Sequence, residues 1–461
     1  MRRKELRGFR HEAHAAEDDD RSLDLLGLDA QFQGVAGEIG DVLNVAGHIV
    51  MSEYDCIALP AQGLDFLCGC RHFDSSLLCL HFFRNILLEK KMKSCILFFK
   101  PFSILPCEPG ENMTDSELER LLALSDPAAI AALYADAYQV KLEYVGKRVS
   151  IRGLIEISNI CRKNCYYCGI RSGNGKVARF RISREEILET ALWAHRHHFA
   201  SLVLQSGEVA SEAFTSFIEE IVREICVRTE NGMGITLSLG EQTRETYRRW
   251  RDAGATRYLL RIEASDPELY RKLHPADHSY EARTECLRIL RELDYQVGSG
   301  VMIGLPGQTV WHLVRDLRFF QAYDIDMIGM GPYIPHEDTP LGAGMILTEE
   351  YRKHQLELGL KMIACARLLL RDVNIASTTA LQALDPKGRE LGLLAGANVI
   401  MPNLTDTAYR SGYRLYAGKP GLDESSELSL EALSRSVEGA GETILWNARG
   451  DSRHYFRRHE K

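Results

Sequence analysis

From about Val145 to Met401 short apolar runs alternate with amphipathic helical runs, and this alternation narrows the available folds more than any other feature. Strand-like runs occur at Arg148 to Ile157, Ser201 to Gln205, Gly234 to Leu239, Thr256 to Ile262, Val297 to Ile303, Met327 to Met330, Asn374 to Ser377 and Asn398 to Met401. Between them lie segments of helical period, the first capped by Ser183 with Glu186 three residues on, the pattern of a capping box. Eight strands alternating with helices over about 260 residues predict α/β architecture in the form of a closed parallel (β/α)8 TIM barrel. An open doubly wound sheet is the competing arrangement, and its mark is a GxGxxG turn after the first strand. Cysteines stand there instead. Gly298, Gly300 and Gly304 have the wrong spacing and read as close backbone approach or strand curvature.

The flanks have a different character. Residues 1–112 show no sustained period of 2 or 3.6 that would bury a core. At Met113 the pattern changes: Thr114 and Glu117 form a capping-box signature, Leu118, Leu121 and Leu122 recur at helical spacing, and Asp126-Pro127 opens a second helix. The chain therefore divides into a poorly patterned extension (1–112), a helical lead-in (113–145), the barrel (146–420) and a C-terminal helical tail (421–461). The extension is expected to be upstream sequence, with Met113 the true start; an accessory segment is the alternative. A formal net charge of -8 provides no basic footprint for nucleic acid and no polybasic membrane anchor. The most apolar stretch, Ser94 to Pro106, is broken by Lys100 and Pro101 and is too short to span a bilayer. No apolar signal segment follows Met1, so a cytoplasmic location is expected.

Three of the 12 cysteines form one tight group, Cys161, Cys165 and Cys168, in C-x3-C-x2-C spacing directly after the first strand. In a barrel this places them at the C-terminal mouth, where such folds keep their active sites. Three thiolates on one loop suit three irons of a 4Fe-4S cube, leaving the fourth iron open for a ligand. A structural zinc site wants four N/S ligands in paired spacing, and the nearest histidines, His195, His197 and His198, lie within a helix. A redox pair of Cys165 and Cys168 would leave Cys161 idle. Cys226, Cys286 and Cys365 are isolated in helical patterns and read as small buried hydrophobes.

This loop, reading Ile157-Ser158-Asn159-Ile160-Cys161-Arg162-Lys163-Asn164-Cys165-Tyr166-Tyr167-Cys168-Gly169-Ile170-Arg171, resembles that of the radical S-adenosylmethionine (SAM) enzymes. Within them it is most similar to the FeFe-hydrogenase maturases of the HydE family, a resemblance continued by Val203 to Glu208, Leu237 to Glu241, Arg257 to Arg261, Gly304 to Thr309 and Gly396 to Asn403. It covers about Met113 to Lys419. It implies one 4Fe-4S cluster held by Cys161, Cys165 and Cys168, whose open iron is chelated by the amino and carboxylate groups of SAM. It also implies reductive cleavage of SAM to a 5'-deoxyadenosyl radical. Some members carry a second cysteine group near the C-terminus; residues 404–461 contain none, so a second cluster is not expected.

The resemblance further implies roles for single residues. Ser206, Gly207 and Glu208 follow the second strand and would grip the SAM amino group, and Gln205 would lie near the cluster and SAM. Thr236, Ser238, Arg261 and Glu263 would end strands three and four, with Arg261 on the SAM carboxylate, as guanidinium and carboxylate pair bidentately, and Glu263 on the ribose. Met302 and Tyr167 would contact adenine, and Arg283 is a further SAM candidate. A structural ion pair is the plainer reading of Arg261 and Glu263. Deeper in the cavity Ser377, Thr378, Thr379, Tyr413 and Tyr416 would line a substrate site, though ordinary packing explains the tyrosines nearly as well. The substrate implied is an organometallic small molecule, an iron-cysteine complex with carbonyl and cyanide ligands, attacked at its cysteine sulfur during assembly of the hydrogenase H-cluster. Transient contacts with other hydrogenase maturases and an electron donor follow from such a role. Another radical SAM activity, of the methylornithine synthase or biotin synthase kind, is one alternative. A non-catalytic iron-sulfur scaffold is the alternative of a different class.

Overall fold

The computed structural model describes residues 113–423 and 426–460; the reading of residues 1–112 as upstream sequence falls outside them. In chain order the elements are α1 (Asp115–Leu122), α2 (Pro127–Tyr144), β1 (Arg148–Ile151), β2 (Gly153–Ser158), α3 (Arg184–Arg196), β3 (Ser201–Ser206), α4 (Glu212–Arg228), β4 (Gly234–Ser238), α5 (Arg244–Ala253), β5 (Ala255–Leu259), α6 (Pro267–Leu273) and α7 (Tyr280–Glu292). They continue as β6 (Gln296–Ser299), β7 (Met302–Ile303), α8 (Val310–Ala322), β8 (Met327–Ile328), β9 (Gly331–Pro332), α9 (Glu349–Leu370), β10 (Asn374–Ile375), α10 (Thr379–Leu384), α11 (Gly388–Leu394), β11 (Val399–Ile400), α12 (Thr407–Arg410), α13 (Ser426–Gly439), β12 (Thr443–Leu445) and α14 (Arg453–His459).

Parallel pairing runs β2-β3-β4-β5-β6-β8-β10 through one sheet. Its two edges meet at β11, where Asn398 N donates to Ile375 O (2.9 Å) and Ser377 N to Val399 O (2.8 Å) on one side. On the other side Arg152 N donates to Ile400 O (3.0 Å) and Leu154 N to Pro402 O (2.8 Å). The sheet is thus a closed barrel of the TIM type, with no exposed edge to manage. Its strands are short and apolar; Leu202, Val203, Leu204, Ile235 and Leu237 are fully buried between the barrel interior and the helices. The helices begin as the capping signatures predict. Thr114 accepts from Glu117 N while the Glu117 carboxylate accepts from Thr114 N, and Ser183 and Glu186 repeat the arrangement on α3.

Two expectations change in detail. The first strand is broken at Arg152 into β1 and β2, and the fifth and sixth each divide into a lower and an upper piece, β6 with β7 and β8 with β9. The Arg152 guanidinium is fully buried and donates to Gly450 O (3.1 Å), so the chain turns here to aim a cation at the barrel floor. Gly300 lies where the fifth strand divides: a Cβ on it would overlap the Gly329 carbonyl, a close backbone approach. The tail is also not purely helical. Its segment β12 pairs in parallel with β1, and residues 450–452 plug the floor, with Asp451 accepting from Arg257 (2.6 Å) and Gln296 (2.8 Å).

Helix α14 locks this plug in place. Arg453 donates to Tyr144 O, Arg458 meets Asp324 and Asp326, and both ring nitrogens of His454 face carboxylates, Asp324 at 2.6 Å and Asp372 at 3.0 Å. Burial alone would lower the His454 pKa, but the two carboxylates outweigh it and raise it from 6.5 to about 9. Only the imidazolium satisfies both acceptors. A raised folded-state pKa contributes stability that is complete below pH 6.5 and is lost as pH rises through about 9. With Asp324 half exposed to solvent, the loss is expected to be about 1–2 kcal/mol. Thermal unfolding measured from pH 6 to pH 10 should show it, and His454→Gln should lose stability at pH 6 and flatten the profile.

Candidate active site at the barrel mouth

The loop joining β2 to α3 has almost no regular structure, so its polar backbone needs partners. Arg179 supplies four: its guanidinium donates to the carbonyls of Asn159 (2.7 Å), Ile170 (2.7 Å), Arg171 (2.6 Å) and Asn174 (3.2 Å). Glu208 ties the loop to the end of β3. Its N–H donates to Cys161 Sγ (3.3 Å), its carbonyl accepts from Arg162 N (2.8 Å), and its carboxylate accepts from Arg162 Nε (2.8 Å) and Glu241 N (2.8 Å). Two histidines hold the other side. His278 Nε2 accepts from Asn164 N (2.9 Å). His274 Nδ1 faces the Tyr270 carbonyl (2.8 Å) and must carry the proton, leaving Nε2 to accept from Tyr167 OH (3.2 Å). Gly207 is required by contact rather than by conformation: a Cβ there would overlap the Ile160 carbonyl and lie 2.7 Å from Cys161 Cβ.

Cys161, Cys165 and Cys168 line one cavity of about 420 Å³, within the range of pockets that enclose cofactor-sized ligands. Burial pushes all three thiols up, Cys165 to about 12, so they are thiolates only with a cationic centre beside them. Among the described residues the one trio of His, Cys, Asp or Glu ligand atoms lying within 4.8 Å of each other is His336, Glu337 and Asp338. The three cysteine sulfurs therefore do not all lie within 4.8 Å of one another, whereas a mononuclear tetrahedral zinc ion would draw them to about 3.8 Å. The donor set fits the corners of a multi-iron cluster. Cys226, Cys286 and Cys365 are buried in α4, α7 and α9 and do not line the cavity.

Next to the cysteines the cavity wall carries Gln205, Ser206, Gly207, Glu208, Ser238, Arg261, Glu263, Arg283, Met302 and Tyr167. Arg261 and Glu263 form an ion pair (2.9 Å), and Arg261 also donates to Val301 O (2.9 Å). Glu263 has φ of +66°, uncommon for a residue with a Cβ and costing about 1–3 kcal/mol, and its backbone bridges to Val301. Arg283 is buried, donating to Glu241 (2.6 Å) and to Arg261 O (2.6 Å). Glu241 in turn accepts from Lys163 (2.7 Å); burial works against its charge, but Arg283 and Lys163 prevail and its pKa falls below the usual glutamate value. Thr236 is the one expected residue the structure does not bring to the cavity. It is fully buried lower in β4, where its hydroxyl accepts from Arg257 Nε (3.0 Å) in the floor network. Thr236 lies deeper in β4 than Ser238, which does line the cavity.

The cavity wall also carries Ser377, Thr378, Thr379, Tyr413 and Tyr416. Their hydroxyls are not equivalent. Ser377 donates to Arg389 O (2.9 Å), Thr379 and Tyr416 bond each other (2.9 Å), and Tyr413 OH accepts from Gln205 (3.2 Å). Thr378 Oγ1 is buried without a partner. Thr378 is the N-cap of α10 yet makes no side-chain cap bond, although that is the usual use of a threonine there. Glu156 and Lys419 form a buried ion pair in the same wall, with Asn403 Nδ2 3.2 Å from Glu156. Neither the ion pair nor Arg179, Glu241, His274 and His278 was expected from the sequence. Lys419 stands 263 residues from Glu156 in the chain, and nothing marks Arg179 apart from its neighbours Arg171 and Arg181.

A closed barrel with three cysteines at its mouth, lining one continuous cavity, defines a radical SAM enzyme, and residues 155–320 match the radical SAM superfamily. Such enzymes use a 4Fe-4S cluster and SAM. The chain is 45% identical over 330 residues to the [FeFe] hydrogenase maturase subunit HydE of Thermotoga maritima, covering 72% of this chain and 91% of the relative. It belongs to the HydE family and is an enzyme of FeFe-hydrogenase maturation. It is also 30% identical over 311 residues to 3-methylornithine synthase of Methanosarcina barkeri, covering 67% of this chain and 84% of that one. Among solved structures it is similar to methylornithine synthase (PylB; TM-score 0.61, 26% identity, 72% and 94% covered). It shares its fold with the maturase HydG of Carboxydothermus hydrogenoformans (TM-score 0.62, 20% identity, 74% and 78% covered). No described helix is long and apolar enough to cross a membrane.

Replacing any one of Cys161, Cys165 or Cys168 by alanine is expected to abolish cluster retention and SAM cleavage while thermal unfolding of the barrel stays cooperative. Cys226→Ser should keep the cluster. Iron and sulfide content with the EPR signal of the reduced protein, with and without SAM, checks both.

Proposed function

We propose that the chamber takes an iron-cysteine complex with carbonyl and cyanide ligands as its substrate, held at the end remote from the cysteines and attacked at its cysteine sulfur towards the diiron precursor of the H-cluster. The observation carrying this reading is the unpartnered Thr378 hydroxyl, buried in the cavity that also holds the three cysteines. A buried donor without an acceptor is costly, and an anionic ligand would relieve it. When bound at Cys161, Cys165 and Cys168, the cluster with SAM supplies one-electron reductive cleavage of the sulfonium. The chain's own residues then divide the work. Arg261 is placed for the SAM carboxylate and Glu263 for its ribose, so their present ion pair would be shared with the ligand. Gln205 orients Tyr413, and Thr379 orients Tyr416, between the two ends. The apolar faces of those rings keep water from the reacting atoms. A methylornithine synthase reading is less well supported, because the identity to that enzyme is 30% against 45% for HydE.

Two variants separate the ends of the chamber. Glu263→Gln keeps size and removes charge, and is expected to weaken SAM binding and slow every cleavage reaction. Thr378→Val removes one hydroxyl at no cost to helix capping. A lost hydrogen bond to a charged ligand costs about 1–3 kcal/mol, or roughly 5- to 150-fold in affinity. Thr378→Val should therefore cleave SAM without substrate at the normal rate yet process the iron complex poorly, as judged by 5'-deoxyadenosine release against hydrogenase activation. Loss of SAM cleavage in folded Thr378→Val would assign the hydroxyl to the cofactor and refute the placement.

A further inference from the structure

From Cys161 to Ser183 the chain carries six basic residues, Arg162, Lys163, Arg171, Lys176, Arg179 and Arg181, and no acidic one, although the whole chain has a net charge of -8. Several surface arginines elsewhere, Arg223, Arg244, Arg248, Arg249 and Arg288, each lie against a carboxylate. On this segment Arg162 and Lys163 are taken up by Glu208 and Glu241, and Lys176 meets Asp338 at 2.5 Å. The other nearby acid, Glu337, meets Arg414 at 3.4 Å. Among the described residues no carboxylate lies within 4.0 Å of Arg171, Arg179 or Arg181, and these three charges remain in excess. They are not scattered. Arg179 and Arg171 are bonded into the cysteine loop itself, through Ile170 O and Asn164 respectively. Beside them Ile160, adjacent to Cys161, is 37% exposed, a large apolar side chain on an otherwise polar rim.

We propose that this face is the docking surface for a small acidic one-electron carrier protein. The proposal rests on the radical SAM reading of the site. Reductive SAM cleavage consumes one electron per event, and the carrier is oxidised by one electron as the cluster is reduced by one; no bond forms or breaks in the transfer. Three unmatched cations around one exposed apolar residue form the small, charge-steered contact of weak redox encounters, which speeds arrival and leaves the complex easy to dissolve. Ile160 and Arg162 directly flank Cys161 in the chain, so the face lies beside the expected cluster site.

The test uses the reconstituted holoenzyme with an acidic 2Fe–2S ferredoxin as probe. Arg181→Glu reverses an exposed excess charge, and Lys176→Glu beside it reverses a second exposed charge and leaves Asp338 uncompensated; neither residue is placed in the cavity. Lys147→Glu with Lys353→Glu changes net charge equally on other, exposed sites. Ferredoxin affinity, read by biolayer interferometry at low ionic strength, should fall at least tenfold in the first pair and stay within about twofold in the second. The difference should close at about 0.5 M salt, where charges are screened beyond a few ångströms. SAM cleavage driven by dithionite should be unchanged in both. Unchanged ferredoxin affinity in the first pair, or an equal fall in the second, overturns the proposal. If Lys176→Glu with Arg181→Glu fails to hold its cluster, Lys176→Gln with Arg181→Gln takes its place, with a threefold or greater fall expected and no fall overturning the proposal. Absence of dithionite-driven cleavage in the unaltered protein would instead overturn the functional reading, while the binding comparison still decides the surface.

Discussion

An irregular loop that buries three thiols at the rim of a barrel can exist only if its backbone polar groups and its ligands are held from outside, and the rest of the site follows from how that is done. Glu208 is the centre of the arrangement. Its backbone binds the loop after β2, its carboxylate reaches Arg162 of that loop, and it accepts from the backbone of the loop after β4. Glu241, held there, ties Lys163 to Arg283, and Arg283 in turn binds the Arg261 carbonyl beyond β5. Four consecutive mouth loops are thus joined through two buried carboxylates. The bonds of Lys163 and Arg283 to Glu241 are charge-assisted and largely dry, so they are worth more than their exposed counterparts, and breaking one leaves a buried charge without its partner.

The barrel was legible because its signal is periodic. Apolar strands and capped helices repeat, and every repeat confirms the last. The breaks in the strands were not, since Arg152 looks like any other polar residue in a strand until the Gly450 carbonyl meets it. The cysteines and most residues expected on the cofactor side share one cavity, and each stands in a local motif confined to a few consecutive positions. Residues that act across the fold carried no such mark. Glu156 finds Lys419 and Asn403 only once the barrel closes through β11, and His274 acquires its role only when Tyr167 is laid against it. Thr236 shows the limit of alternation: strand period says which way a side chain points, but not which layer of the barrel it occupies.

The three hydroxyls after β10 make a related point about candidate sites. As a sequence, Ser377-Thr378-Thr379 offers three equivalent donors. Folding distinguishes them, because Ser377 is satisfied by the Arg389 carbonyl and Thr379 by Tyr416, and only Thr378 keeps an open valence towards the cavity. Helix α10 accounts for part of this, since it starts at Thr379 and places Thr378 at its cap without using the hydroxyl. A site is thereby reduced from a motif to one atom.

The two ends of the barrel solve opposite problems with the same chemistry. At the mouth, buried carboxylates hold a loop in place so that ligands can enter beside it. At the floor, two fully buried arginines, Arg152 and Arg257, bind the C-terminal segment through Gly450, Arg449 and Asp451, so nothing enters from below. An apolar floor would seal equally well but would not specify which segment fills it; carbonyls and a carboxylate at fixed distances do. Since β12 pairs with β1 just outside that floor, the plug is positioned by the same strand whose upper continuation, β2, leads into the cysteine loop. The Arg152 break is what lets one stretch of chain serve both ends: below it the strand carries the seal, above it the strand leads into the cysteine loop. A reaction that must exclude water needs both, and their sharing of a single strand couples closure of the chamber to assembly of its mouth.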